Sequence, residues 1–150
     1  MISVVFDHTG LIISLLGVIL VLQIDILKKQ SRRFFLWIFI ILIAYALSDT
    51  ISWVTYGRPG GGWILASKTG LFLESAFSGA LIPLLAGFLL YSAGEEDIFR
   101  NRIFQMIIAA FAVYLILLIY AQFSATIYYY DYLNTYHRGP WYPVLLVLPI

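Results

Sequence analysis

Three ionisable residues stand where the surrounding sequence is apolar: Asp49, Lys68 and Glu74. A charge inside a membrane span costs about 2.5–3.5 kcal/mol on insertion scales, so each one has to be paired, neutralised or set on a polar path. Asp49 shares a helical face with Tyr45, Ser52, Trp53 and Tyr56, which lie three, four or seven residues away. That face is polar and aromatic, unlike one that meets lipid. Asp49 precedes Tyr56 by seven residues, about 10 Å along a helix rising ~1.5 Å per residue. Lys68 and Glu74 follow Trp63 by five and eleven residues, so on two antiparallel helices Asp49 falls between them in depth. Three chemistries are open to such a set: an Asp49–Lys68 ion pair that locks two helices, the polar floor of an outward-facing ligand pocket, or a proton relay.

No catalytic set accompanies these groups. The two carboxylates have no nucleophile and no metal-ligand pattern beside them, His8 and His137 are far apart in sequence, and there is no cysteine. The acidic run Glu95, Glu96, Asp97 is too thin for an enzyme acting on lipid. We therefore expect no catalytic residues, no metal, no cofactor and no enzyme activity within this chain.

The elements that position these residues follow from composition. The chain is 62% hydrophobic and 11% charged, with a mean hydropathy of +0.93, whereas a soluble domain is about 45–50% apolar and about 25% charged. Such a chain cannot bury its apolar surface in a globule; it is expected to be an integral membrane protein. The net charge of +1 points to no particular partner, and no basic run in a soluble context suggests nucleic acid. Asp7 and His8 precede the first apolar run and Lys28, Lys29, Arg32 and Arg33 follow it, the reverse of a secretory signal peptide.

Apolar runs predict spans over about Thr9–Leu27, Phe34–Tyr56, Trp63–Ala93 and Ile103–Tyr128, with a fifth starting at Val144; a spanning helix needs about 20 apolar residues. The fold class is all-α: a polytopic transmembrane bundle of four full spans plus the start of a fifth, forming one domain over residues 1–150. Basic residues crowd the first loop and recur in the third as Arg100 and Arg102, which places the odd loops in the cytoplasm and the N-terminus outside. Asp25, one turn from Lys28 and Lys29, reads as an interfacial acid paired with lysine. Tyr56, Trp63 and Tyr128–Tyr130 form the outer aromatic belt.

Near the end, "YHRGPWYP" (Tyr136–Pro143) interrupts the greasy sequence. Gly-Pro ends one conformation and starts another, Pro143 suits the first turn of a fifth helix, and Trp141 and Tyr142 suit headgroup depth. The stretch is expected outside the membrane, as a re-entry turn with Arg138 and His137 facing water or the outer pocket. Small residues recur every four positions in the third span (Ser75, Gly79, Pro83, Gly87), and a similar stripe of Ala44, Ser48 and Ser52 marks the second. Such stripes let membrane helices pack closely, so the third helix is expected at the centre, kinked at Pro83.

Two stretches carry a resemblance. "ALSDTISWVTYGRPG" (Ala46–Gly60) and "YYYDYLNTYHRGPWYP" (Tyr128–Pro143), the latter with Asn134, Tyr136, Arg138, Gly139 and Pro140 in order, resemble the N-terminal multi-pass membrane region of bacterial signalling proteins that end in a diguanylate cyclase (GGDEF) domain or a histidine kinase. The resemblance implies about six or seven spans, a location in the bacterial cytoplasmic membrane, a homodimer and a cytoplasmic output domain; the end at Ile150, inside an unfinished helix, suggests a piece of a longer protein.

The expected function is a sensory input module. A small-molecule ligand, extracellular or from the bilayer, would enter between the second and third helices and the Arg138 loop. Asp49, Lys68 and Glu74 would form the floor, and Trp53, Trp63, Tyr136 and Trp141 the walls. The alternative is a small transporter or ion-conducting protein with Asp49, Lys68 and Glu74 as its polar path.

Overall fold

The computed structural model describes residues 2–24, 28–95 and 97–147. It contains α1 (Ile2–Gln23), α2 (Lys29–Thr55), α3 (Gly61–Ser92), α4 (Arg102–Phe123), a hairpin of strands β1 (Tyr128–Tyr130) and β2 (Tyr136–Arg138), and α5 (Tyr142–Val147). A single 3-10 turn, Ile98–Arg100, lies between α3 and α4. Three helices, α2, α3 and α4, are long and apolar enough to cross a membrane. Their most apolar windows are only 11%, 17% and 11% buried, so most of their apolar surface faces outward, as lipid requires and water does not. The apolar stretch of α1, Thr9–Gln23, is shorter. Asp25 lies outside the described residues.

The helices pack in chain order. α1 rests on α2, α2 and α3 share the largest interface, and α4 also packs on α3. α3 is therefore central, as its small-residue stripe predicts. At Gly79 a Cβ would sit 2.8 Å from the Tyr114 ring of α4, and at Gly70 it would sit 3.1 Å from the Ser48 carbonyl of α2. Glycine lets the neighbours approach that closely. Pro83 is buried inside α3, which continues through it. With 32 residues α3 is about 48 Å long, against a hydrocarbon core of about 30 Å, so it tilts or projects beyond it.

The ends of these helices have identifiable causes. α2 stops at Tyr56 because Gly57 takes the left-handed φ of 71°, the usual way to leave a helix. The Asn101 Oδ1 accepts from the amides of Ile103 and Phe104 and caps α4. Arg32 donates to the Leu22 carbonyl at 2.6 Å, using a cation to satisfy the open C-terminal end of α1. Pro143 sits in the first turn of α5, where its missing N–H is harmless.

The all-α expectation needs one correction. The fourth helix ends at Phe123, and the tyrosine run beyond it is a strand: Tyr128, Tyr129 and Tyr130 pair antiparallel with Arg138, His137 and Tyr136. Strand alternation then splits the tyrosines. Tyr128 is 3% exposed and Tyr129 42%, so Tyr128 belongs to the core and leaves the expected aromatic belt. That core gathers Tyr114, Leu118 and Ala121 of α4 with Ile127, Tyr128 and, from α5, Leu145. The best-buried part of the molecule is thus at the hairpin end.

Candidate cavity and its hairpin

The hairpin turn is built by Asp131. Its Oδ1 accepts from the amides of Leu133 and Thr135, each at 2.9 Å, and its Oδ2 meets His137 Nε2 at 3.0 Å. The Thr135 amide first, then the His137 ring and the Leu133 amide, hold this carboxyl below its ordinary range, against an opposing effect of burial. His137 also stacks on Tyr129, with ring centroids 5.1 Å apart.

The same turn forces Asn134 to a left-handed φ of 58°, a conformation asparagine tolerates better than most residues. The chain there points the Asn134 side chain into the protein, where it is fully buried. Its Nδ2 donates to the Thr55 carbonyl at 2.6 Å and to Ser67 Oγ at 2.9 Å. Thr55 Oγ1 and Ser67 Oγ lie 2.7 Å apart, and the Gly57 amide donates to the Asn134 carbonyl. One side chain therefore ties the hairpin to the ends of both α2 and α3. Its Oδ1 is buried without a hydrogen-bond partner.

Beside this junction lies a cavity of about 300 Å³, lined by Ser52, Trp53 and Tyr56 of α2 and by Tyr130 of β1. Burial first, then Tyr128, the Glu74 carboxylate and Tyr56, push the Tyr130 hydroxyl to hold its proton well above the usual phenol range. Tyr136 is shifted the same way by burial and by Tyr142. Burial pushes Tyr128 up to about 12 despite a hydrogen bond from Gln122. The tyrosines are thus neutral hydroxyls at physiological pH, good for hydrogen bonding and stacking and unsuited to acid–base work there.

The structure brings only some of the expected site residues together. Trp53 lines the cavity and Asp49 lies half-buried one turn below it on α2. Glu74, also half-buried, is close enough to act on Tyr130. The helix register refines their depths. Thr55 meets Ser67, and Gly70 meets Ser52 and Ser48, so Asp49 stands opposite the stretch between Lys68 and Glu74 of α3, which are themselves about 9 Å apart along the helix at ~1.5 Å per residue. The half-buried Lys68 lies toward the hairpin from Asp49 and Glu74 lies beyond it. Tyr136 packs edge-on against Tyr130, with centroids 5.6 Å apart, behind the cavity wall. Arg138 and Trp141 are elsewhere. The Arg138 guanidinium lies over the Tyr142 ring at 4.7 Å, and Trp141 is 63% exposed. Trp63 carries the Arg58 guanidinium at 5.0 Å and is likewise outside the cavity lining.

Sequence reasoning missed Tyr130 as a wall and Thr55, Ser67 and Asn134 as the fastening. Ser52 and Tyr56 were visible as neighbours of Asp49 on one helical face. Asn134 had one available sign: an asparagine between Asp131 and an aromatic strand is a natural left-handed turn position. No family model, curated protein or solved structure matches the chain.

Proposed function

We propose that this chain is a membrane-embedded sensory input module whose outer cavity takes a small ligand, extracellular or bilayer-borne. The observation that carries the reading is the origin of the cavity's walls: α2 supplies one side and Tyr130 of the hairpin the other. A ligand seated between them adds contacts that exist only while the hairpin is docked. It shifts the docked–undocked balance by its difference in affinity for the two states. Because Asn134 joins the hairpin to both α2 and α3, that balance bears on how these two helices pack.

In this reading α1 is a fourth span, the N-terminus and the hairpin are outside, and the basic turns are in the cytoplasm. The α1–α2 and α3–α4 turns meet at one end, where Lys28 and Ser31 face Ser92 and Glu95 across a shared cavity. The helix-packing change is relayed there to a diguanylate cyclase or histidine kinase domain, in a homodimer in the bacterial cytoplasmic membrane. Support for the output and the dimer is the resemblance of Ala46–Gly60 and Tyr128–Pro143 to such sensors.

The test uses the absence of native cysteine. Spin labels on Lys29→Cys and Arg102→Cys report the separation of the inner ends of α2 and α4 in lipid nanodiscs. Releasing the hairpin with Asn134→Ala is expected to shift or broaden that distance distribution. If the hairpin gains mobility while the inner distances superimpose on those of the parent protein, the relay is wrong.

A further inference from the structure

Toward the opposite end from the hairpin, two cavities share a wall. One, of about 360 Å³, is polar and lined by Lys28, Gln30, Ser31, Tyr91, Ser92, Gly94 and Glu95. The other, of about 370 Å³, runs along α3 between α2 and α4 and is almost wholly apolar; Phe34, Trp37, Pro83, Gly87, Phe104 and Phe111 are among its walls. Gln30 lines both. The apolar cleft follows from the packing order: α2 and α4 each lean on α3, and the space between them has no helix among the described residues.

The geometry points to a built site for one phospholipid, its headgroup in the polar cavity and an acyl chain in the cleft, with preference for a primary-ammonium headgroup of the phosphoethanolamine type. Among the described residues, the charges lining the polar cavity are one cation, Lys28, and one carboxylate, Glu95, with the hydroxyls of Ser31, Ser92 and Tyr91 and the Gln30 amide around them. A zwitterionic phosphoethanolamine complements both: phosphate oxygens accept from the Lys28 ammonium, and the lipid's own ammonium donates to Glu95. A purely anionic headgroup satisfies Lys28 and faces Glu95 as a like charge. A quaternary choline has no N–H to donate, so it loses the charge-assisted hydrogen bond to Glu95. The Asn101 amide also donates to Glu95 Oε1 at 3.3 Å. The apolar cleft supplies affinity without headgroup preference, and the polar cavity supplies the preference.

This inference is independent of any ligand in the outer cavity. It is tested by native mass spectrometry of the whole chain released from nanodiscs containing equal parts phosphatidylethanolamine, phosphatidylcholine and phosphatidylglycerol. One retained phosphatidylethanolamine per chain is expected, enriched over the other two. Glu95→Gln is expected to lower the ethanolamine-over-choline preference by roughly tenfold, the worth of one charge-assisted hydrogen bond. Ala80→Phe, which fills the cleft from α3, is expected to abolish retention of any lipid while leaving the helical circular dichroism unchanged. Retention without headgroup preference, preference for phosphatidylglycerol, a Glu95→Gln variant that discriminates like the parent, or a cleft occupied by a second copy of the chain would each overturn the assignment.

Discussion

Replacing Asn134 separates the fastening from the rest of the hairpin, because its structural contributions can be counted. Truncation to alanine removes two hydrogen bonds, to the Thr55 carbonyl and Ser67 Oγ, each worth about 1 kcal/mol net. Neither partner is stranded: Thr55 O still accepts from the Arg58 amide, and Ser67 Oγ keeps Thr55 Oγ1. Alanine at a φ of 58° costs about 1 kcal/mol more, because its Cβ crowds the backbone. The change also removes an unpartnered buried oxygen, Oδ1, returning about 1 kcal/mol. The balance is about 2 kcal/mol of hairpin stability lost in Asn134→Ala, and about 1 kcal/mol in Asn134→Gly, which has no Cβ to strain. Asn134→Asp is expected to be the worst of the three, since a carboxylate cannot donate to Thr55 and brings a charge into a fully buried position. Chemical unfolding in detergent, followed by near-ultraviolet circular dichroism of the hairpin tyrosines, gives the ordering. If glycine is as damaging as alanine, the left-handed strain is misjudged; if all three variants melt like the parent, Asn134 does not hold the hairpin.

Further outcomes follow from the same structure. Tyr128, Tyr130 and Tyr136 bind their protons more tightly in the folded protein than in the unfolded chain. Their contribution to stability is thus complete below the ordinary tyrosine pKa of about 10 and is lost as pH rises toward and past about 12; phenolate absorbance should show a late-titrating group, and titration of every tyrosine near pH 10 would contradict the burial. Asp131 behaves oppositely: its carboxyl is held below its ordinary range, so its contribution is present above about pH 4 and is lost as pH falls through the depressed value. Proteolysis of the hairpin should therefore accelerate in acid, and Asp131→Asn should flatten that dependence. Gly70→Ala forces a methyl against Ser52 Oγ and the Ser48 carbonyl and should cost about 1–3 kcal/mol in thermal unfolding. Adding Ser52→Ala removes the nearest atom and should recover part of the loss; no recovery would mean that the backbone carbonyl alone sets the limit.

The three long apolar helices were legible because length and hydropathy decide them, whereas α1, expected over Thr9–Leu27, runs over Ile2–Gln23 with an apolar stretch shorter than theirs. Every helix from α2 to α4 starts and stops within a few residues of the edge of its apolar run, except at the end of α4. There the sequence through Tyr128 is apolar by composition and reads as more helix. Its strand conformation depends on pairing with Tyr136–Arg138 and on a turn organised by Asp131, and hydropathy carries neither. The central place of α3 was legible from Gly79 and Gly87, because small residues matter only where something approaches. The candidate site was half legible. Asp49, Ser52, Trp53 and Tyr56 share a helical face by spacing alone, whereas Tyr130 reaches them through the hairpin, and Asn134 bonds a carbonyl 79 residues away. Arg138 and Trp141 were drawn into the site because polar and aromatic residues near the outer surface look like walls. In the structure Arg138 has a nearer partner in Tyr142, and Trp141 faces outward as an interfacial ring would.

The account depends most on the cavity and its hairpin lying on the outer side of a membrane, with the basic turns on the inner side. The chain has no cysteine, so single substitutions report topology without background. Tyr132, exposed at the tip of the hairpin, and Glu95, exposed in the turn after α3, mark the two ends. In intact cells a membrane-impermeant maleimide should label Tyr132→Cys and spare Glu95→Cys until the membrane is permeabilised. Labelling of Glu95→Cys alone, or of both residues before permeabilisation, would contradict the account.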